Sequence, residues 1–190
     1  SLFSHEILGL KPEAYIGFSA GETAALFSSG AWRDLDAYYQ AVEDSGMWTK
    51  ALAGELNVLK KAWSDIPDVD KKWRNWGVRA PYDTVKSALE KEPLVHLATI
   101  NIEGDYSICG QEEACERVVD AIGRTKCQPI HYDLIHHCPE IEAYKYEWQA
   151  LNTREVVNDS VRLYGTANSG SCYSPSQEKV KQALLGMAQN

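Results

Sequence analysis

The sequence has 190 residues, with 19 basic against 27 acidic side chains for a net charge of −8, and 44% apolar and 10% aromatic content. This is the size and composition of one globular domain with a small second lobe at most; the acidic balance disfavours nucleic-acid binding, and no apolar run is long enough to span a membrane. Five cysteines (Cys109, Cys115, Cys127, Cys138 and Cys172) form no CxxC pair, which argues against a disulfide framework or a structural zinc site and fits a reducing cytoplasm.

In chain order, residues 2–10 read as the tail of a helix closed by Gly9 and Pro12. Ala14-Tyr15-Ile16 reads as a short buried strand and residues 23–27 as an apolar helix, with Gly17-Phe18-Ser19-Ala20-Gly21-Glu22 between them. A serine between two glycines at a strand-to-helix junction is the pattern of a nucleophile elbow. Such a turn exposes the hydroxyl and aims the helix N-terminus at charge developing on an acyl oxygen. The chemistry it suits is acyl transfer, with Ser19 as nucleophile, the Ala20 amide as an oxyanion donor and the downstream pair His136-His137 as the source of a base. The plainer role for Ser19 is that of a turn serine capping the following helix.

Residues 34–63 carry apolar positions at helical spacing, broken near Ser45-Gly46, and predict two helices. The stretch 65–93, punctuated by Pro67, Gly77, Pro81 and Pro93, reads as an insertion of short helices, with Lys71-Lys72-Trp73-Arg74-Asn75-Trp76 as an exposed helix face with buried tryptophans. From residue 94 the pattern changes to a strand at 95–101, a Gly104-Asp105 turn, a strand at 106–109, an amphipathic helix at 112–122 and a strand at 128–132. That β-β-α-β order is most of a small ferredoxin-like lobe. A helix at 139–151, a strand at 161–164 and a closing helix at 176–187 follow. His5, His96 and His131 read as surface or satisfied strand histidines, and no Asp, Glu and Cys set has metal-site spacing.

Taken together, the motifs resemble the acyltransferase domains of bacterial fatty acid and polyketide synthases, the malonyl-CoA:acyl carrier protein transacylase superfamily. Gly17 to Glu22 is similar to the GHSxGE of that family, and Ser29-Gly30-Ala31-Trp32 with Asp36-Ala37 to its "aGals..da" stretch. Ala98-Thr99-Ile100-Asn101 with Ile108-Cys109-Gly110 is similar to its "iA.vN…vvsG", and His136-His137-Cys138 falls where the family has a histidine followed by Ser or Cys. Trp32, the tryptophan-bearing insertion and His137-Cys138-Pro139 look most like the acyltransferase domain in the B subunit of polyunsaturated fatty acid synthases.

The resemblance implies an α/β fold: a parallel-sheet hydrolase-like core with the nucleophile elbow, formed by residues 1–93 and 134–190, and an inserted ferredoxin-like α+β lobe at 94–133. It implies a cytoplasmic serine acyltransferase that moves an acyl group from acyl-CoA or an acyl-carrier protein to carrier-protein phosphopantetheine, holds no cofactor or metal, and works beside other domains of a multidomain synthase. His137 is then the base, Glu22 orients local structure, and Asn190 matches an asparagine whose carbonyl supports the histidine. The family's GQG loop, with a second oxyanion amide, and its final strands have no counterpart here, and there is no initiator Met, so a piece of a longer chain is expected. Malonyl-specific members carry an arginine on the helix after the elbow. The corresponding positions here are Asp44 or Ser45, and residues 34–48 contain no Arg or Lys, so a neutral acyl donor is expected, with the tryptophans as possible channel walls. The alternatives are a thioesterase-type serine hydrolase using Asp133 or a later residue as its acid, and a non-catalytic docking domain that kept the fold.

Overall fold

The computed structural model describes residues 3–67, 69–167 and 170–189. In chain order the elements are a π-helical turn Phe3–Ile7, β1 (Tyr15–Ile16), α1 (Ala20–Ser28), α2 (Leu35–Ser45), a second π-helical turn Met47–Ala51, α3 (Asn57–Ala62), β2 (Trp73–Val78) and α4 (Tyr82–Leu89). There follow β3 (Val95–Ile102), β4 (Asp105–Gln111), α5 (Glu112–Ile122), a 3-10 turn Arg124–Lys126, β5 (Cys127–Ile130), a 3-10 helix Pro139–Tyr144, α6 (Lys145–Leu151), β6 (Leu163–Tyr164), β7 (Cys172–Tyr173) and α7 (Gln177–Gln189). The result is a mixed α/β fold in two units. One comprises the chain up to Ser45 together with Lys145–Ala188, the other Gly46–Tyr144 with Gln189.

In the first unit β1 pairs in parallel with β6, and β7 adds antiparallel to β6, giving the order β1-β6-β7. The expected parallel sheet is thus represented, among the described residues, by a single two-residue parallel pair. α1 buries Glu22, Ala25 and Leu26 and is capped at Ser29; the next residue, Gly30, has a φ of 71° that allows the chain to reverse so that Trp32 N–H reaches Leu26 O at 3.0 Å. The reversal sets Trp32 edge-on to Phe27 and beside Tyr38, with the Arg154 guanidinium 5.3 Å over the Tyr38 ring. Ser29-Gly30-Ala31-Trp32 is therefore the closure of α1.

The second unit holds an antiparallel four-stranded sheet in the order β3-β4-β2-β5, with the chain running β-α-β-β-α-β through β2, α4, β3, β4, α5 and β5. Gln111 starts α5 by accepting from Ala114 N–H at 2.8 Å, and Cys115, Val118, Val119 and Ile122 recur at helical spacing on its buried face. That face and Val85 of α4 pack on Trp76 and Val78 of β2 and on Ile108 of β4. Residues 73–78, expected within an insertion of short helices, are instead an interior strand, and 82–89 are one helix. Periodicity hid the strand because Trp73, Asn75, Trp76 and Val78 are all buried, which leaves no apolar–polar alternation. Since β2 lies outside 94–133, the sheet cannot be assembled from that span alone. Ile108 is fully buried at the centre of this core, so Ile108→Ala should remove about 2–5 kcal/mol of stability, read as a lower denaturant midpoint at unchanged slope.

Candidate functional site

Ser19 belongs to the first unit and precedes α1 with φ 54° and ψ −126°. That is the first central position of a type II′ turn, where glycine is the usual occupant. The conformation follows from how tightly the chain turns: Gly21 N–H bonds Phe18 O and Glu22 N–H bonds Ser19 O, each at 2.9 Å. A side chain at Gly17 would run into the backbone of Gly21 and Glu22, so the helix can start on the strand end only if residue 17 is glycine. Gly21 is different, because a Cβ there meets nothing within 4 Å. Ser19 makes no side-chain cap bond to α1, which removes the capping role. Ala20 is the first helical residue, so its N–H is among those with no intrahelical acceptor.

Glu22 is buried on the inner side of the same turn. Its Oε1 accepts from Thr166 N–H at 2.7 Å and from Thr166 Oγ1–H at 2.6 Å, tying the first turn of α1 to the chain after β6. A Cβ at Gly165 would collide with that carboxyl group. Burial, reinforced by the charge of Glu22, pushes the Tyr173 hydroxyl up to about 12. The structure thus brings Ser19, Ala20 and Glu22 together on one turn. Gly165 and Thr166 escaped the sequence reading because they lie more than 140 residues away in an irregular segment.

The histidine pair belongs to the second unit. His137 is buried, has φ 52°, and helps to line a cavity of about 460 Å3 whose other walls include Val85 and Leu89 of α4 and Val95, His96 and Leu97 of β3. His137 turns the chain, and the two imidazoles meet edge to face with centroids 5.0 Å apart. His136 bonds Leu134 O through Nδ1 at 2.9 Å and stacks on Tyr132. Burial holds its pKa below the ordinary 6.5; the bond to Leu134 opposes this and the neighbouring His137 adds to it. Cys138 is fully buried, and burial together with a hydrogen bond to Cys109 keeps its thiol protonated. Asp133 is paired with Arg74 at 2.6 Å. Asp44 is exposed and accepts from Gln40 at 2.9 Å. Asn190 lies outside the described residues.

Residues the sequence reading did not assign hold the His137 segment. Asn75 of β2 donates from Nδ2 to Tyr132 O at 2.9 Å and to Leu134 O at 3.1 Å. Glu140, three residues after His137, accepts on Oε1 from His96 Nε2 at 2.9 Å and from Trp63 Nε1 at 3.2 Å. Burial opposes ionisation of Glu140, but the hydrogen bond and charge of His96, with smaller backbone and Cys138 contributions, leave its pKa lowered.

Compared with known proteins, the fold is that of the malonyl-CoA:acyl carrier protein transacylases and related acyltransferase domains. It matches a malonyl-transacylase solved in complex with its type II polyketide synthase acyl-carrier protein at TM-score 0.75 and 19% identity, covering 98% of this chain and 57% of that one. It matches the Synechocystis malonyl-CoA:ACP transacylase at TM-score 0.72 and 16% identity, over 98% and 57%. An acyltransferase domain from module 8 of the salinomycin polyketide synthase gives 0.72 and 20%, over 98% and 40%. In sequence the chain is similar to the B subunit of the polyunsaturated fatty acid synthase of Thraustochytrium sp., at 28% identity over 172 residues; this spans 87% of the chain but 8% of that much longer protein. No family model matches.

Burial of His136 disfavours its protonated form in the folded protein. The folded protein binds this proton less readily than the unfolded chain, so the His136 contribution to stability is flat above 6.5 and falls as pH drops below it. By NMR, the His136 Cε1 proton should titrate with a midpoint below 6.5.

Proposed function

We propose that this chain carries the serine and histidine of an acyltransferase that moves acyl groups from a thioester to the phosphopantetheine thiol of an acyl carrier protein. The observation that carries the reading is Ser19 in a type II′ conformation between β1 and α1, its hydroxyl unused as a cap, in a chain with the fold of transacylases. In this reading the Ser19 turn is a nucleophile elbow on a hydrolase-like core, and the β-α-β-β-α-β unit is a ferredoxin-like lobe that includes β2 and α4.

The chemistry follows from the groups. His137 takes the proton of Ser19 Oγ as the oxygen attacks the thioester carbonyl, and the Ala20 N–H helps to stabilise the oxyanion. The carbon–sulfur bond breaks, the leaving thiolate receives the proton from His137, and an acyl-serine ester remains. The carrier thiol then gives its proton to His137 and attacks the ester, and the proton returns to Ser19 as the thioester forms. Glu22 supports the turn, Asn190 is the proposed carbonyl support for the histidine, and no cofactor takes part. The partners are acyl-CoA, a phosphopantetheine-bearing carrier and further domains of a multidomain synthase in the cytoplasm. For the hydrolase alternative, the Asp133–Arg74 pair gives Asp133 no support as the acid.

Ser19→Ala should abolish the acyl-enzyme mass adduct formed with acyl-CoA while leaving the fold intact. His137→Ala should slow acylation on the order of a thousandfold, and His136→Ala far less. The reverse ranking would move the base to His136. An adduct that hydrolyses at once instead of passing to a carrier thiol would indicate a hydrolase, and no adduct under any condition a docking domain.

The donor is proposed to be neutral, acetyl or a longer acyl chain. The argument rests on the lack of any Arg or Lys on α2 to pair with a malonyl carboxylate. Asp44 adds little to it, because an exposed carboxylate is screened by solvent. In competition between acetyl-, long-chain acyl- and malonyl-CoA, the neutral donors should dominate labelling of Ser19; preferential malonylation would reverse the specificity and leave the acyl transfer standing.

A further inference from the structure

We propose that Asn75 and Glu140 are positioning residues that hold His137 in its working orientation, one gripping the chain before it and the other the chain after it. The proposal rests on the reading of His137 as the general base.

The backbone at His137 has a positive φ, a conformation a non-glycine residue keeps only where its surroundings over-determine it. On the N-terminal side, both amide hydrogens of Asn75 go to carbonyls two residues apart, Tyr132 O and Leu134 O. Ile135 N–H, just beyond them, bonds Leu52 O at 2.9 Å, and Cys109 Sγ reaches His136 O at 3.6 Å. Every residue from Tyr132 to His136 except Asp133 is thereby tied through its backbone to β2, to β4 or to Leu52. On the C-terminal side, Glu140 is held by Trp63 from the end of α3 and by His96 from β3. Trp73 stacks against His96 and packs on Trp63, so the two donors are fixed relative to each other.

Asn75 is the more telling of the two. It occupies an interior strand, is 2% exposed, and its Oδ1 has no partner among the described residues. A buried amide with an unmet carbonyl is unfavourable for packing alone, and an apolar residue would fill the same place without that penalty. What the amide supplies, and an apolar side chain cannot, is two donors aimed at the strand-to-histidine connection. Glu140 likewise puts a carboxyl group into a tryptophan-lined interior where its interactions are with side chains that frame the same turn.

The test is the pre-steady-state rate at which acyl-CoA labels Ser19 in Asn75→Leu, Glu140→Gln, and each combined with His137→Ala. Misplacing a base by about an ångström costs on the order of a hundredfold, so each single variant should lose between roughly tenfold and a hundredfold in kcat. KM should stay within about twofold, because ground-state binding is untouched. In the His137→Ala background neither change should slow acylation further, since there is no base left to misplace. Glu140→Gln keeps the side-chain shape, so it reads the proposal even where Asn75→Leu does not fold. Equal losses with and without His137, or no loss in Glu140→Gln, would overturn the proposal. Failure of the underlying reading shows itself separately, as an unslowed His137→Ala, and that would take this proposal with it.

Discussion

The close approach of α1 to the end of β1 is the constraint on which the Ser19 turn depends. Gly17 has no room for a side chain against Gly21 and Glu22, so the helix begins within a few residues of the strand and Ser19 is driven to positive φ. A conformation of that kind costs on the order of 1–3 kcal/mol. Two hydrogen bonds from Thr166 to Glu22, each worth roughly 1 kcal/mol net, are of the right size to offset it. They act where they are needed, in the first turn of the helix whose start imposes the strain. Gly165 belongs to the same arrangement, because a Cβ there would leave the carboxyl group nowhere to sit.

The second unit solves a similar problem by other means. His137 also has positive φ, one of four non-glycine residues to do so among the described residues. Its support comes from side chains reaching across the sheet, not from a tight local turn. Asn75, Trp63 and His96 come from two strands and the end of α3, and the Trp63 and Glu140 partners are 77 positions apart.

That contrast explains what could be read from the sequence. The turn at Ser19 was legible because its determinants fall within six consecutive residues, 17–22, and depend on backbone rules: glycine where there is no space, and a strand followed by a helix. β3, β4 and α5 were legible for the same reason, since a turn at Gly104 and the spacing of Cys115, Val118, Val119 and Ile122 are local patterns. β2 was not legible, because an interior strand buried on both faces loses its alternation and the asparagine in it looks like a loop residue. The choice between His136 and His137 came from resemblance, and the structure adds a physical difference between them. His136 commits Nδ1 to Leu134 O and its face to Tyr132, whereas His137 is at the turn and on the wall of a cavity. The supports of both residues were beyond reach, because a hydrogen bond between side chains far apart in sequence leaves no periodic trace.

The two faces of the four-stranded sheet also carry different loads. The face covered by α4 and α5 is mainly apolar, with Trp76, Val78, Val85, Ile108, Val118 and Val119 among its buried residues. Side chains alternate along a strand, so Asn75 on β2 and His96 on β3 point away from that core, toward the segment that bears His137 and Glu140. Burying polar groups there costs stability, about 1–3 kcal/mol for each one left unmatched. The apolar burial on the opposite face is what offsets it. Separating the faces also puts every polar group that contacts the histidine segment from the sheet on rigid strands, which hold a side chain in place more narrowly than loops do. The sheet is therefore both the core of the unit and the platform from which Asn75 and His96 bond the segment that bears His137.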